Sequence, residues 1–275
     1  MQNRKEEQPV EARCNREAVA GALRERGPIL IAYSGGVDSA LLAALAVREL
    51  GKDRVRCVLL DSPLLPRREI EEARETADRL DLPLEVVAFP ILEDEAFRAN
   101  RPDRCYTCKK ASARLLKSLA RREGIETVAD GTNASDLGTY RPGLAAGDEE
   151  GVCHPLAAAG ATKEDVRRIA RECGFTFWNK PSAACLATRI PYGDEITEEA
   201  LARIEAAEEV LHDRGFRQVR VRLHGDVARI EVPPDDLERL FSMRDDVTAA
   251  LRAIGFAYVA LDLAGYRSGS MDEVL

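Results

Sequence analysis

Ile29-Leu30-Ile31-Ala32-Tyr33-Ser34-Gly35-Gly36-Val37-Asp38-Ser39 decides how the rest of the chain is read. Five apolar residues suit a buried strand. Two glycines make a tight turn, and Ala40 to Leu50 then reads as a helix. A turn of this kind leaves backbone N–H groups at a helix N-terminus, where the dipole is positive and anions bind. Gly35 and Gly36 let the backbone approach an anion closely. Ser34 and Ser39 add hydroxyl donors, and Asp38 can hold Mg²⁺ against a phosphate. The Gly-Lys-Ser/Thr ending of a Walker A loop is missing.

Working outward, strand-like and helix-like segments alternate. Strands are expected at Ile29–Tyr33, Val55–Leu60, Leu84–Phe89 and Thr127–Ala129, and helices at Val10–Arg26, Ala40–Leu50, Glu69–Leu80, Lys109–Arg122 and Lys163–Cys173. This alternation implies an α/β fold, a doubly wound parallel sheet with helices on both faces. Its ligands sit at the carboxyl ends of the strands, where Asp61 and Asp130-Gly131-Thr132-Asn133 also fall. Gly138 to Gly151 reads as a surface loop. From about Ile196 the pattern changes to a helix (Glu198–Arg214), two alternating segments around the turn Gly225-Asp226, a helix (Asp235–Ile254) and a strand (Ala257–Leu263). That is a second, smaller α+β domain.

The chain has 275 residues, a 45% hydrophobic fraction and a net charge of −8. The acidic balance offers no global footprint for nucleic acid. No apolar stretch is long enough to span a bilayer, and the polar start, Met1 to Val10, is no signal peptide. A cytoplasmic protein is expected, with no membrane and no nucleic-acid partner. Seven cysteines without a secretion signal argue against a disulfide framework. Cys14, Cys57, Cys153 and Cys173 are expected to pack as small core residues. Only seven of the 40 basic residues are Lys, which makes Lys109, Lys110 and Lys180 mildly notable beside the motifs.

Three further segments carry chemistry. Lys180 to Gly193 is rich in proline and small residues and reads as an irregular loop with Cys185 between Lys180 and Arg189. Positive neighbours favour the thiolate, the reactive form of cysteine. Cys105-Tyr106-Thr107-Cys108 sits among Arg101, Arg104, Lys109 and Lys110. A Cys-x-x-Cys serves zinc, iron–sulfur and redox sites alike, and no second pair completes a four-cysteine zinc site. Together Cys105, Cys108 and Cys185 offer three thiolates, provided the Cys185 loop folds back towards Cys105. In Val219-Arg220-Val221-Arg222-Leu223, alternation places Arg220 and Arg222 on one strand face, with Glu231 on the neighbouring strand. Two guanidinium groups suit a phosphate or carboxylate; a solvated face of cross-strand ion pairs is the alternative.

The Ser34–Ser39 segment resembles the pyrophosphate loop of ATP pyrophosphatases, and the chain as a whole is similar to the LarE family, the sulfur transferases of nickel-pincer nucleotide synthesis. The likeness rests also on Asp61-Ser62-Pro63 to Glu69, Asp130 to Asp136, the Cys185–Gly193 loop and the Gly265–Met271 tail. It implies an ATP pyrophosphatase domain over 1–195 and a smaller substrate-binding or oligomerisation domain over 196–275. ATP and Mg²⁺ would be held by Ser34, Gly35, Gly36, Asp38, Ser39, Asp61, Ser62, Thr132 and Asp136. The small-molecule substrate would be a pyridinium dicarboxylate mononucleotide, adenylated and then converted to thiocarboxylates, with its phosphate on Arg220 and Arg222 and with Glu231 holding a metal or orienting an arginine. Lys180 and Arg189 would stabilise charge on the phosphates. Family members either sacrifice the sulfur of one cysteine, at the position of Cys185, or hold a [4Fe-4S] cluster on three. The presence of Cys105 and Cys108 implies the cluster type. A homo-oligomer is implied as well; the sulfur donor is left open. Thr188 stands where the family usually has Ser, and Tyr106 is the aromatic candidate for stacking on the pyridinium ring. The alternatives are another pyrophosphate-loop enzyme, such as a tRNA thiolase or an NAD synthetase-like ligase, and a non-catalytic ATP-binding protein with a structural metal.

Overall fold

A computed structural model describes residues 16–138, 142–181 and 184–267. Cys14, the start of the expected first helix and the end of the Gly265–Met271 tail lie outside the described residues.

The main sheet contains β1 (Ile29–Ala32), β2 (Val55–Asp61), β3 (Leu84–Ala88) and β4 (Thr127–Asp130). All are parallel, in the order β3-β2-β1-β4. β1 reads Ile-Leu-Ile-Ala because it is central and covered on both faces, which leaves no place for a polar alternate. One face packs on the helices Arg16–Arg24, Val37–Leu50, Arg67–Arg79 and Lys163–Glu172. The other packs on the helix Arg104–Arg122, through Ala113, Leu116 and Ala120. The chain runs outward from β1 to β3 and then crosses to the far side of β1 to form β4. The order reverses between β1 and β4, and a sheet of this kind opens its crevice beyond the carboxyl ends of those two strands.

The Ser34–Ser39 segment turns at Gly35, whose φ of +72° belongs to the left-handed region. A Cβ there would stand 2.4 Å from the Ala73 Cβ. At Gly131, just past β4, a Cβ would stand 2.8 Å from the Ser39 nitrogen. The two loops at the switch point are thus in backbone contact, and neither glycine can carry a side chain.

A second sheet, β5 (Arg220–His224), β6 (Val227–Glu231) and β7 (Tyr258–Leu261), is mixed. β5 and β6 form the expected hairpin, and β7 adds parallel to β6. Its core includes Phe216, Val221, Ile230, Leu240, Val247 and Phe256. A third apolar cluster joins the two halves of the chain, with Leu64, Phe97, Leu186 and Ile190 packed on Ile196, Leu201 and Ile204.

Two expectations are corrected. Within Gly138–Gly151, a helix runs over Pro142–Glu149. It lies along the helix Arg104–Arg122, tied by Lys110–Glu149 at 2.9 Å and Arg114–Glu150 at 2.8 Å, so tertiary contacts override a glycine-rich sequence. The helix expected over Asp235–Ile254 is two, Leu237–Ser242 and Arg244–Ala253, broken where the Ser242 hydroxyl bonds back to the Arg239 carbonyl at 2.6 Å.

Gly35→Ala is expected to combine a backbone cost of about 1–2 kcal/mol with an overpacking cost of about 1–3 kcal/mol. Gly160→Ala, at the same φ of +72° but with nothing within 4 Å, should show the backbone cost alone. Urea denaturation checks this; equal midpoints for the two variants would contradict the close approach to Ala73.

Candidate functional site

A cavity of about 370 Å³ occupies the switch point. Its walls include Ser34, Asp38, Ser39, Lys109, Thr132 and Asp136. Ser39 donates to the Gly36 carbonyl at 3.1 Å and accepts from the Ser34 N–H at 3.1 Å, so the loop braces itself around the hydroxyl at the head of the helix Val37–Leu50. Asp38 accepts from Asn133 Nδ2 at 3.1 Å and pairs with Lys163. Thr132 donates its N–H to Asp130 at 3.0 Å, and Asp136 caps the short helix Ala134–Leu137 through the Asn133 N–H at 3.1 Å. Asp61 and Ser62, at the end of β2, are taken up by Arg67: its Nη1 lies 2.6 Å from the Asp61 carboxylate and its Nη2 2.7 Å from the Ser62 carbonyl.

The helix Arg104–Arg122 starts earlier than the sequence suggested, and this changes the Cys-x-x-Cys. Cys105 and Cys108 occupy its first turn three residues apart, a spacing that puts two side chains on one helix face. Lys109, the next residue, reaches into the cavity wall. Cys105 is exposed and Cys108 half-buried.

The Cys185 segment does fold back. Asn100, fully buried, donates Nδ2 to the carbonyls of Pro191 at 2.7 Å and Asp194 at 2.9 Å. Its Oδ1 accepts from Arg104 at 2.6 Å, and Arg104 lies over the Tyr192 ring at 4.2 Å. The Pro-Tyr-Gly loop is therefore strapped to the residue that precedes Cys105. Arg189 holds the other end. Its Nε and Nη2 each lie 2.9 Å from Glu208, and Nη1 donates to the carbonyls of Ala184 and Cys185 at 2.8 and 3.0 Å. Thr188 donates its hydroxyl to the Cys185 carbonyl at 2.8 Å, a contact a serine would make equally.

Burial pushes the Cys108 thiol up to about 12, with the charges of Cys185 and Cys105 adding to the rise. Burial also raises Cys185, against an opposing Ala187 N–H and the charges of Arg189 and Arg104, and Cys105 raises it further. The expectation that Lys180 and Arg189 favour the Cys185 thiolate is corrected: burial outweighs the charge of Arg189, and Lys180 is paired with Glu69 and Glu72. Among the described residues, no group of three or more His, Cys, Asp or Glu side chains stands closed around a metal position. The three thiols are soft donors with Arg104, Lys109 and Arg189 among the charges that bear on them, but they are not gathered as a metal site.

Lys180 and Arg189 do not line the first cavity. They line a second, of about 750 Å³, together with Glu69, Glu72 and Arg220. Lys180 is held by Glu69 at 2.8 Å and Glu72 at 2.9 Å, which raise its pKa against the cost of burial. Arg222 pairs with Glu231 at 2.7 Å and donates to the Thr188 carbonyl at 2.9 Å. Arg220 differs: among the described residues no carboxylate stands within ion-pair distance of it, and burial, then the charge of Arg189, lowers its pKa. A guanidinium so placed suits an incoming anion. Tyr106 already carries Lys110 over its ring at 4.9 Å, so a pyridinium would compete with a resident cation.

One network went unread in the sequence. Asp130, at the end of β4, accepts from Lys109 Nζ at 2.6 Å and His154 Nδ1 at 2.7 Å, while His154 Nε2 lies 3.0 Å from Asp148. Burial opposes ionisation of Asp130, but the hydrogen bond from His154 and the charge of Lys109 prevail and hold it well below the usual carboxylate range. The scarcity of lysine and the place of Asp130 at a strand end were the available hints.

A family model described as NAD synthase matches residues 20–117. The chain is 37% identical over 257 residues to the pyridinium-3,5-bisthiocarboxylic acid mononucleotide synthase of Lactiplantibacillus plantarum, covering 94% of this chain and 93% of that protein. It is 40% identical to an uncharacterised protein of Synechocystis sp., covering 90% of this chain and 92% of the other. An uncharacterised protein of Methanocaldococcus jannaschii is 33% identical, over 87% of this chain and 91% of its own length.

Glu208→Ala would leave the Arg189 guanidinium, 2% exposed, without its carboxylate, and should cost about 3–5 kcal/mol in denaturant unfolding. Glu172→Ala, which removes the exposed partner of Arg168, should cost less than about 1 kcal/mol. Similar losses for both would contradict the clamp.

Proposed function

The chain belongs to the LarE family, and on that premise we propose that it is an ATP-dependent sulfur transferase that acts on the carboxylates of pyridinium-3,5-biscarboxylic acid mononucleotide. A carboxylate is a poor electrophile because oxide would have to leave. In the proposed first step its oxygen attacks the α-phosphorus of ATP, pyrophosphate departs, and an acyl adenylate forms. A sulfur nucleophile then adds to the activated carbonyl and AMP departs, leaving a thiocarboxylate. Two rounds give the dithiocarboxylate.

The residues take roles accordingly. The N–H groups of the Ser34–Ser39 loop and the helix dipole hold the triphosphate, with Mg²⁺ against Asp38. Lys109 offsets the charge that develops on the phosphates. Arg220, with Arg222 and Glu231 behind it, receives the substrate phosphate in the second cavity. We place the nucleotide-binding domain at 1–195 and the substrate-binding domain at 196–275. Cys105, Cys108 and Cys185 would hold a [4Fe-4S] cluster, which when bound supplies a labile sulfur as nucleophile. Arg189 fixes the Cys185 segment and leaves the phosphates to Lys109.

One observation supports the reading: Lys109 lines the switch-point cavity and directly follows Cys108, on whose ionisation the charges of Cys185 and Cys105 bear. Activation and sulfur delivery would then use neighbouring faces of the helix Arg104–Arg122.

Asp38→Ala is expected to abolish pyrophosphate release from ATP in the presence of the dicarboxylate mononucleotide. Persistent release would overturn the loop assignment. Protein purified without oxygen should carry iron and inorganic sulfide in comparable amounts and lose both on Cys105→Ala, Cys108→Ala or Cys185→Ala. Stoichiometric zinc, or a chain that has lost only the Cys185 sulfur after turnover, would overturn the cluster assignment.

A further inference from the structure

His154 stands outside every motif yet touches two carboxylates. Nδ1 lies 2.7 Å from Asp130 Oδ1 and Nε2 lies 3.0 Å from Asp148 Oδ1. A neutral imidazole has one N–H and one lone pair, so whichever tautomer it chose, the lone pair would face a carboxylate oxygen. Both contacts are hydrogen bonds only when the ring is doubly protonated. Asp130 is the receiving end of a wider set. Its Oδ1 also accepts the Thr132 N–H at 3.0 Å, and its Oδ2 accepts Lys109 Nζ at 2.6 Å. The Asp130 side chain is 8% exposed and that of His154 11%, so the pair sits away from bulk water. Asp148 is 59% exposed and closes the chain at the surface.

We propose that His154 is a positioning residue of the nucleotide site: as an imidazolium clamped between Asp130 and Asp148, it fixes Asp130 in the pose that presents the Lys109 ammonium to the bound triphosphate. This rests on reading the first cavity as the ATP site. Charge accounts for the effect. Lys109 and His154 balance Asp130 and Asp148. Without the second His154 proton the set carries one net negative charge beside a polyanion and one of the two carboxylates faces a lone pair, so the clamp that holds Asp130 against Lys109 slackens.

The charged groups that bear on His154 come from three elements. Asp130 comes from the end of β4, Asp148 from the helix Pro142–Glu149, and Lys109 from the helix Arg104–Arg122 by way of Asp130. Burial lowers the His154 pKa, but the hydrogen bond and charge of Asp130, then those of Asp148, outweigh it and the net direction is up. A raised histidine contributes fully below its ordinary value of about 6.5, and the contribution is lost as pH rises through its folded value. ATP affinity should therefore fall on the alkaline side.

The chain has three histidines, so imidazole resonances can be assigned by substitution. ¹⁵N spectra of the full-length protein should show His154 with two N–H groups at pH 7, titrating above His224. His224, which burial and then the charge of Arg229 push down, is the internal contrast. Calorimetric titration with Mg·ATP should show affinity falling about tenfold, the equivalent of one pKa unit, through the His154 midpoint. His154→Gln should bind ATP weakly at pH 7 and lose that alkaline step. Asp148→Asn, which leaves the cavity wall intact, should move both the His154 midpoint and the alkaline step to lower pH together. A neutral His154 at pH 7, or an alkaline step that stays in place in Asp148→Asn, would overturn the inference. Wild-type protein that fails to bind Mg·ATP would instead overturn the assignment of the cavity, while the spectra still decide the state of the histidine.

Discussion

The Arg189 guanidinium is a buried charge that the fold cannot leave unpaired, and the arrangement of the site depends on how it is satisfied. Glu208 takes two of its nitrogens; the third donates to the carbonyls of Ala184 and Cys185 and to the Thr188 hydroxyl. Glu208 belongs to the helix Glu198–Asp213 and also accepts the N–H of Val221 in β5. One ion pair thus ties the cysteine segment, a helix and the small sheet together. A desolvated pair of this kind adds little net stability against a well-packed apolar substitute, but breaking it is costly. What it contributes here is position: the Cys185 backbone is held by two charge-assisted contacts that admit little freedom.

The same economy recurs at Asn100 and Asp130. Asn100 adopts a φ of +51°, a conformation asparagine tolerates better than most residues, and spends its amide on the carbonyls of the Pro-Tyr-Gly loop. Asp130 gathers Lys109, His154 and the Thr132 N–H at the carboxyl end of β4. In each case a single buried polar side chain joins segments far apart in sequence. The result is two cavities, one lined by the Ser34–Ser39 loop and Lys109, the other by the ends of the Cys185 segment and Arg220.

Much of the architecture was legible because it follows from local chemistry. Ile29–Ala32 is apolar throughout because it is central, and Gly35 is fixed by a turn no other residue makes without strain. The arginine alternation at Arg220 and Arg222 gave the strand, but not the different fates of the two side chains, since Arg222 reaches diagonally to Glu231 while its neighbour faces a cavity. Cys185 between two cations suggested an activated thiol; only the structure reveals that Glu69 and Glu72 have claimed Lys180 and that Glu208 has claimed Arg189. Helix ends were the weak point where no cap marks them. Asp103 makes no side-chain cap, so nothing in the sequence announced that the helix begins before Cys105. Long-range polar pairs such as His154 with Asp130 carry no periodic signature, so no reading of spacing finds them.

The claim on which the account turns is that Cys105, Cys108 and Cys185 converge. Arsenite, a soft ion that prefers three thiolates, tests it directly when titrated into anaerobic, metal-free protein. The account predicts about one tightly bound arsenic per chain, with affinity lost when any one of the three cysteines is changed to serine. Binding that survives Cys185→Ser undiminished would contradict it.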